Sequence, residues 1–475
     1  MSLQKIYELI DSKKQSYIER LHKAVSIPSV SADASLRPKV VEMADFIVSE
    51  FEKLGAKMEK RDIGSHVMNG VEVPLPPIVL GQYGNDPAKK TVLIYNHYDV
   101  QPAKKSDGWD SEPFELVVDE KDRMLGRGVT DDKGPLMGWI ANLEAYKEAG
   151  VDFPVNLLMC FEGMEEYGSE GLDDLIVAEA NRYFKKADCV CISDTYWLGT
   201  RKPVLTYGLR GVSYFNVTVE GPSADLHSGV FGGTVHEPMT DLIAVMASLV
   251  KPDGTILVPG IVDEVAPLTK DEDKLYDNID YSMDDLKQAV GGEINVYDSP
   301  KDTLQHRWRY PTLSLHGIQG AFSESGAKTV IPAKVTGKFS IRTVPNMTAE
   351  HINKCVKEHV EKVFASLNSK NRVSVECLHS GSWWISSPFH WHYTIGAKAV
   401  KTVYGVEPDL VREGGSIPIT LTFETALNKN VLLLSMGRGD DGAHSINEKL
   451  DVENYVNGIK LFATYVDELS KSELK

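Results

Sequence analysis

The chain has 475 residues, of which 42% are hydrophobic and 25% are charged, a composition typical of globular proteins. Its formal net charge is −17, and such an acidic chain repels nucleic acid and anionic membranes unless it carries a basic patch. The sequence has no long run of Lys and Arg, so we expect neither kind of partner. The length predicts two or three domains.

Two features predict a cytoplasmic location. Charges recur at short intervals over the first twenty residues, and no stretch approaches 18 apolar residues, so we expect neither a signal peptide nor a membrane span. The number of cysteines is odd and no Cys-x-x-Cys pair occurs, which favours free thiols in a reducing compartment. The cysteines are Cys160, Cys189, Cys191, Cys355 and Cys377, and the first three lie within apolar runs.

Helical patterns alternate with short apolar runs in the first and last parts of the chain. Apolar residues at helical spacing predict a helix over 36–54, ended by Gly55, and another over 135–149. Runs that are apolar on both faces predict buried parallel strands. These runs span 91–95, 155–161, 189–193 and 431–436. The fold class is therefore α/β, with a largely parallel central sheet.

Between residues 207 and 385 the pattern changes to strands that alternate apolar and polar residues. The predicted order is strand, helix, two strands, helix, strand, which is the ferredoxin-like α+β unit. Its elements span 211–220, 236–250, 313–316, 333–344, 348–367 and 373–378, with a polar insertion over 252–310. We therefore predict a catalytic domain in two parts, 1–206 and 386–475, interrupted by an inserted domain over 207–385.

Residues suited to metal binding follow all four apolar runs. In open α/β sheets, ligands bind beyond the carboxyl ends of the strands, so these side chains are expected to converge on one crevice. Asp131 lies in the glycine-rich segment GRGVTDDKGP before the helix of 135–149 and can reach the same edge. The residues that follow the runs are His97, Glu165 with Glu166, Asp194 and His444.

Two histidines and three carboxylates suit two divalent cations that share one bridging carboxylate. Imidazole and oxygen ligands together fit Zn²⁺ or Mn²⁺, and the sequence does not decide between them. Each residue taken alone has an ordinary explanation, because a single His after a strand is usually a surface residue and an Asp pair before a helix is usually a cap. Their joint occurrence at strand ends favours the metal site.

Six segments together resemble a known family over essentially the whole chain. They are HYDVQPA, GRGVTDDKGP, EGMEEYGSEG, CISD, REGGSIP and DDGAHSINE. They are similar to the dinuclear metallopeptidase family that includes carboxypeptidase G, aminoacylase, succinyl-diaminopimelate desuccinylase and the carnosinases. The resemblance implies a phosphorylase/hydrolase-like catalytic domain, with the inserted domain acting as a lid and as the contact of a homodimer.

The resemblance also implies a role for each residue of the metal site. His97 and Asp194 would bind one metal, and Glu166 and His444 would bind the other. Asp131 would bridge the two metals. In the family, the peptide bond that corresponds to Asp131–Asp132 is typically cis. Asp99 would fix the tautomer and orientation of His97. Glu165 would be the general base, which takes a proton from the water that two metals acidify.

The substrate residues that the resemblance implies come partly from a second subunit. His227, in the segment DLHSG, would stabilise the oxyanion from the partner subunit, and Thr329 would contribute from there as well. Arg342 would bind the substrate's C-terminal carboxylate, and His379 and Ser416 would assist it. The ordinary explanations are that His227 is a turn residue and that Arg342 forms a salt bridge on a strand face.

These features predict a metal-dependent dipeptidase of broad specificity, with Cys-Gly and carnosine-like dipeptides among the possible substrates. A secreted carnosinase is a near alternative that would carry a signal peptide. An N-acyl-amino-acid deacylase of the same fold is a second alternative. A catalytically inactive dimeric binding protein is a third, and it would be expected to lack a metal ligand or the base.

Overall fold

The computed structural model describes residues 2–68 and 70–473. Its α-helices are Ser2–Ser12, Lys14–Val25, Arg37–Leu54, Lys133–Ala149, Leu172–Glu179, Ser228–Phe231, Pro238–Ala247, Lys270–Leu275, Met283–Val290, Pro300–Trp308, Ala349–Ser366, Trp391–Tyr404, Ile419–Leu427 and Val452–Lys471. None of the helices described is long and apolar enough to span a membrane.

The strands form one large sheet, a second sheet of four strands and three small ribbons. In order across the large sheet, the strands are Lys57–Arg61, Ile78–Tyr83, Asn156–Glu162, Thr91–His97, Cys189–Ile192, Val431–Leu434, Val204–Leu209 and Trp384–Ile385, with Asp409–Glu413 also paired to Val204–Leu209. The ribbon strands are Ser65–Met68, Val71–Pro74, Val117–Val118, Arg123–Leu125, Leu226–His227, Val330–Ile331 and Lys449–Asp451.

The centre of the large sheet is parallel and its edges are mixed. Thr91–His97 lies parallel to Asn156–Glu162 and to Cys189–Ile192, and Val431–Leu434 lies parallel to Cys189–Ile192. The neighbours on either side, Ile78–Tyr83 and Val204–Leu209, run antiparallel to this group. The predicted α/β fold is confirmed, and the parallel strands are the four whose sequences are apolar on both faces.

Helices cover both faces of the large sheet, which explains those continuous apolar runs. Every residue of Thr91–His97 is buried. On one face Val92 and Ile94 join a core in which the rings of Trp139 and Phe462 stack 4.2 Å apart. On the other face Leu93 and Tyr95 pack with the helices of 172–179 and 419–427. The rigid centre of the sheet therefore fixes where its strands end.

The four-stranded sheet is built from the segment between the strands Val204–Leu209 and Trp384–Ile385. Its order is Thr312–Gln319, Lys334–Thr343, Gly211–Glu220 and Arg372–Gly381, all antiparallel. The helices Pro238–Ala247 and Ala349–Ser366 share a core with it. The element order is that of the ferredoxin-like unit. The domain division at 206/207 and 385/386 stays a prediction. Its first boundary falls within the strand Val204–Leu209, and its second falls directly after the strand Trp384–Ile385.

The polar insertion predicted over 252–310 contains three short helices and packs back onto the large sheet. Tyr276, Leu304 and Trp308 form a buried cluster with Val204 and Val411, which lie on two neighbouring strands of that sheet. An ion pair between the insertion and the strand Asp409–Glu413, Glu272 with Arg412, lies beside this cluster. The insertion is therefore anchored to the sheet that carries the predicted site.

Candidate metal centre

The residues predicted to bind metal meet at the carboxyl edge of the central strands. His97 is the last residue of its strand, and Asp194 follows Cys189–Ile192. Glu165 and Glu166 begin the short 3-10 turn after Asn156–Glu162. Asp131 precedes the helix Lys133–Ala149, and His444 lies in the loop after Val431–Leu434. These loops bring together residues that are more than 300 positions apart in the sequence.

Asp131 lies at the centre of the group, with one oxygen facing each histidine. Its Oδ1 is 2.9 Å from Nε2 of His97, and its Oδ2 is 3.0 Å from Nε2 of His444. His444 Nε2 is also 3.0 Å from Glu166 Oε2, and His97 Nε2 is 3.8 Å from Asp194 Oδ2. Each imidazole therefore faces the shared carboxylate and one further carboxylate. This donor set fits two cations joined by a bridging Asp131.

Proximity alone also groups Asp132 with His97 and Asp194, beside a second group of Asp131, Glu166 and His444. Asp132 already has a structural task, because its Oδ2 accepts hydrogen bonds from Asn96 Nδ2 at 2.7 Å and from the His97 amide at 3.1 Å. Asp131, by contrast, has both of its oxygens facing imidazole nitrogens. The peptide bond between the two aspartates is cis.

Burial makes this group of carboxylates costly without cations. It raises the pKa of Asp194 to about 7 and that of Glu165 well above its usual range. Asp131 is the exception: although burial opposes it, hydrogen bonds to His444 and His97 lower its pKa. The nearby buried ammonium of Lys133 is engaged elsewhere, donating to the carbonyls of Ala24 and Ile27. Divalent cations would supply the missing positive charge.

Asp99 contacts both His97 and the turn that carries Glu165 and Glu166. Its buried carboxylate accepts the backbone N–H of Glu165 at 3.2 Å and that of Glu166 at 3.1 Å. One of its oxygens also lies 3.4 Å from Nδ1 of His97, whose ring nitrogen is 3.1 Å from the Asp99 carbonyl. Asp99 therefore orients the imidazole and also the turn that carries the two glutamates.

A cavity of about 400 Å³ opens over the centre. Sequence reasoning missed Arg307 and Glu413, which lie in its wall. Arg307 comes from the polar insertion, and its guanidinium lies 4.0 Å from the Glu413 carboxylate. Glu413 stands in the segment REGGSIP, but that segment gave it no role, and Arg307 lies in a polar insertion with no metal-binding pattern. The tertiary structure places both beside the centre. The residues that line the cavity include Glu165, Asp194, His444, Ser416, Arg307 and Glu413.

The predicted substrate residues fall into two sets. Ser416 lines the cavity, and Arg342 donates to the Ser416 hydroxyl at 3.3 Å. His227 lies on a small ribbon whose other strand, Val330–Ile331, directly follows Thr329, and the Ser228 amide donates to the Thr329 carbonyl. His227, Thr329 and the exposed His379 are not among the described residues that line this cavity.

Comparison with known proteins gives concordant matches along the chain. The family model described as Peptidase family M20/M25/M40 matches residues 93–468. The Cys-Gly metallodipeptidase dug1 of Schizosaccharomyces pombe is 75% identical, with 99% of each chain covered. The solved structure of the di-peptidase Dug1p from Saccharomyces cerevisiae has a TM-score of 0.93 at 56% identity, covering 99% of this chain and 100% of that one. Human carnosine dipeptidase 1 has a TM-score of 0.92 at 41% identity, covering 99% of both chains.

Replacing Asp99 by Asn tests its role in orienting the metal ligands. Asn keeps the size but offers one acceptor oxygen where two backbone N–H groups and the His97 ring now share a carboxylate. We expect divalent-metal affinity to fall by roughly 10–100-fold, measured by calorimetric titration of the metal-stripped protein. Unchanged affinity in a folded variant would contradict the assignment.

Proposed function

Because the chain belongs to peptidase family M20/M25/M40, we propose that it is a metal-dependent dipeptidase acting on dipeptides with a free C-terminal carboxylate. The family predicted from the sequence motifs is confirmed, as is the assignment to the metallopeptidase class of hydrolases. Segments such as DGWDSEPF and SDTYWLG resemble the cytosolic non-specific dipeptidase, also called tissue carnosinase. The observation that carries the proposal is that the Asp131 carboxylate faces two imidazoles and lies in the wall of a cavity.

Glu165 is the general base of the proposed mechanism. Two divalent cations, Zn²⁺ or Mn²⁺, held by His97, Asp194, Glu166, His444 and Asp131, would supply Lewis acidity and lower the pKa of a water. Glu165 lines the cavity, and burial raises its pKa, which favours uptake of a proton by the carboxylate. It takes the proton of the attacking water and passes it to the leaving amine.

The adjacency of Glu165 and Glu166 separates their tasks. Asp99 accepts the backbone N–H of both residues, so their peptide units are held in one orientation. From there Glu166 reaches His444, while the neighbouring Glu165 contributes to the cavity wall. One carboxylate is thereby directed to the metal and the next to the substrate.

Recognition of the substrate would draw on two subunits. Arg342 and Ser416 would bind the C-terminal carboxylate from the same chain, and His379 would assist them. His227 and Thr329 lie at one end of the same ribbon, and neither is among the described residues that line the cavity. This supports a role for them in the partner subunit's site, where His227 would donate to the oxyanion. The inserted domain would then be both lid and dimer contact.

The state of the cysteines bears on the location of the enzyme. The cysteines are free, with Cys160, Cys189 and Cys191 buried, which supports a reducing, cytoplasmic location.

Two alternative functions use the same fold. An inactive binding protein would not need to keep both the predicted base and the ligands grouped around Asp131. An N-acyl-amino-acid deacylase uses the same chemistry on a substrate without a free amino group, so substrates must separate it from a dipeptidase.

Metal removal and replacement provides the direct test of the function. The stripped enzyme should be inactive, and Zn²⁺ or Mn²⁺ should restore hydrolysis of Cys-Gly, β-Ala-His and Ala-Leu, because the cations activate the water. Amine release is followed for each dipeptide and for N-acetylglycine as the deacylase substrate. Faster hydrolysis of N-acetylglycine than of any dipeptide would contradict the proposal.

Glu165→Gln tests the general base. The amide cannot take a proton, so we expect kcat to fall by about 10²–10⁴-fold while two metals still bind, measured by steady-state kinetics and by metal analysis. Glu120→Gln, at an exposed turn position, is the matched control and should leave both unchanged. Turnover near that of the wild type in Glu165→Gln would remove this residue from the mechanism.

Hybrid dimers test whether His227 acts across subunits. A Glu165→Gln subunit and a His227→Ala subunit, carrying different tags, are co-expressed and purified as a mixed dimer. One of its two sites then contains both intact residues, so about half the wild-type activity is expected. If the mixed dimer is as inactive as each parent, His227 does not serve the partner's site.

A further inference from the structure

Glu448 is a fully buried carboxylate that does not line the cavity and belongs to no metal group. It stands at the end of the segment DDGAHSINE, four residues after His444, and directly precedes the strand Lys449–Asp451. A buried carboxylate is costly unless charges and hydrogen bonds compensate it. Its partners therefore indicate what it does.

All of its hydrogen bonds go to the loop that ends in Asp131. Oε2 accepts from Arg127 Nη1 at 2.8 Å and from the Gly128 amide at 2.9 Å. Oε1 accepts from the Thr130 amide at 3.0 Å and from the Asp131 amide at 3.2 Å. Three backbone N–H groups and one guanidinium thus converge on one side chain and define the path of the loop.

The same contacts tie this loop to the one that carries His444. Arg127 uses its second nitrogen, Nη2, to donate to the Ser445 carbonyl at 3.1 Å, and the Gly126 amide donates to the Glu448 carbonyl at 3.0 Å. The two metal-binding loops are therefore joined immediately beside His444.

The His444 loop needs such support, because its backbone is strained. His444 and Asn447 adopt left-handed conformations, with φ of 61° and 56°, which non-glycine residues adopt only when the surroundings hold them. The His444 side chain is also 57% exposed, so packing does little to fix it. The ties to Arg127 and Glu448 hold its backbone near Asp131, together with the Thr130 hydroxyl, which donates to Asp441 Oδ2 at 2.9 Å, and the hydrogen bonds between Asp110 and Asn447.

We propose that Glu448, paired with Arg127, is a positioning residue that sets the separation of Asp131 and His444 and thereby the affinity for the metal ion that these two share with Glu166. The inference rests on the ligand set of the proposed function. Gln is the informative substitution, because one acceptor oxygen becomes an NH₂ group that faces N–H donors. The loop must then shift, although the residue keeps its size.

The test is a calorimetric titration of the metal-stripped protein with Mn²⁺, which resolves the two binding steps. Glu448→Gln should weaken one step by roughly 10–100-fold and change the other less. Asp241→Asn is the matched control. Asp241 is a buried carboxylate on the helix Pro238–Ala247, which packs on the four-stranded sheet, and it accepts a 2.8 Å hydrogen bond from Asn371. It should leave both steps unchanged.

A double-mutant cycle identifies the affected ion. In a His444→Ala background the shared site is already damaged, so Glu448→Gln should add little to the loss. Equal losses in both backgrounds, or wild-type affinities in folded Glu448→Gln, would overturn the proposal. If Glu448→Gln does not fold by circular dichroism, Arg127→Lys replaces it. Lys keeps the charge but cannot bind Glu448 and Ser445 together, and wild-type metal affinity in that variant would equally overturn the proposal.

A failure of this inference and a failure of the dipeptidase assignment can be distinguished. Absence of dipeptide hydrolysis by the metal-loaded wild type would contradict the dipeptidase assignment, yet the titrations would still report on Glu448. Conversely, an active enzyme whose metal affinities do not respond to Glu448→Gln would retain its function and lose the positioning role.

Discussion

The crowding of acidic side chains at one edge of a buried sheet is the constraint on which the rest of this structure depends. Asp131, Glu165 and Asp194 share a space in which burial disfavours negative charge. Such a group is stable only when cations, imidazoles and oriented N–H groups compensate it. The parallel strands deliver the carboxylates, the two histidines face the central one, and Asp99 and Glu448 hold the loops around them.

Much of this arrangement could be predicted from the sequence, because the central strands are apolar on both faces and end in polar residues. His97 and Asp194 follow such runs, and the parallel pairing of their strands places both at one edge. The spacing of the residues alone did not decide which of them bind each metal. The division of labour between Glu165 and Glu166, and the choice of Asp131, came from the family resemblance and stay predictions about roles.

The remainder depends on contacts between distant segments, which no local pattern encodes. The edge strand Lys57–Arg61 is largely exposed and the edge strand Trp384–Ile385 has only two residues, and both pair antiparallel, so they lack the continuous apolar signal of the centre. Arg307 enters the cavity wall only because Trp308 anchors its helix against Val411. Glu448 stands inside a recognised motif, but its task follows from the loop that it contacts more than 300 residues earlier.

The position of one strand has a consequence for the order in which the molecule assembles. Val431–Leu434 lies in the interior of the large sheet, between Cys189–Ile192 and Val204–Leu209. During synthesis these two neighbours, and the entire four-stranded sheet, emerge before it does. The nascent sheet therefore has a gap that only a late, very non-local pairing can close. His444 arrives with the loop after that strand, so the metal centre is completed by the same event that closes the core.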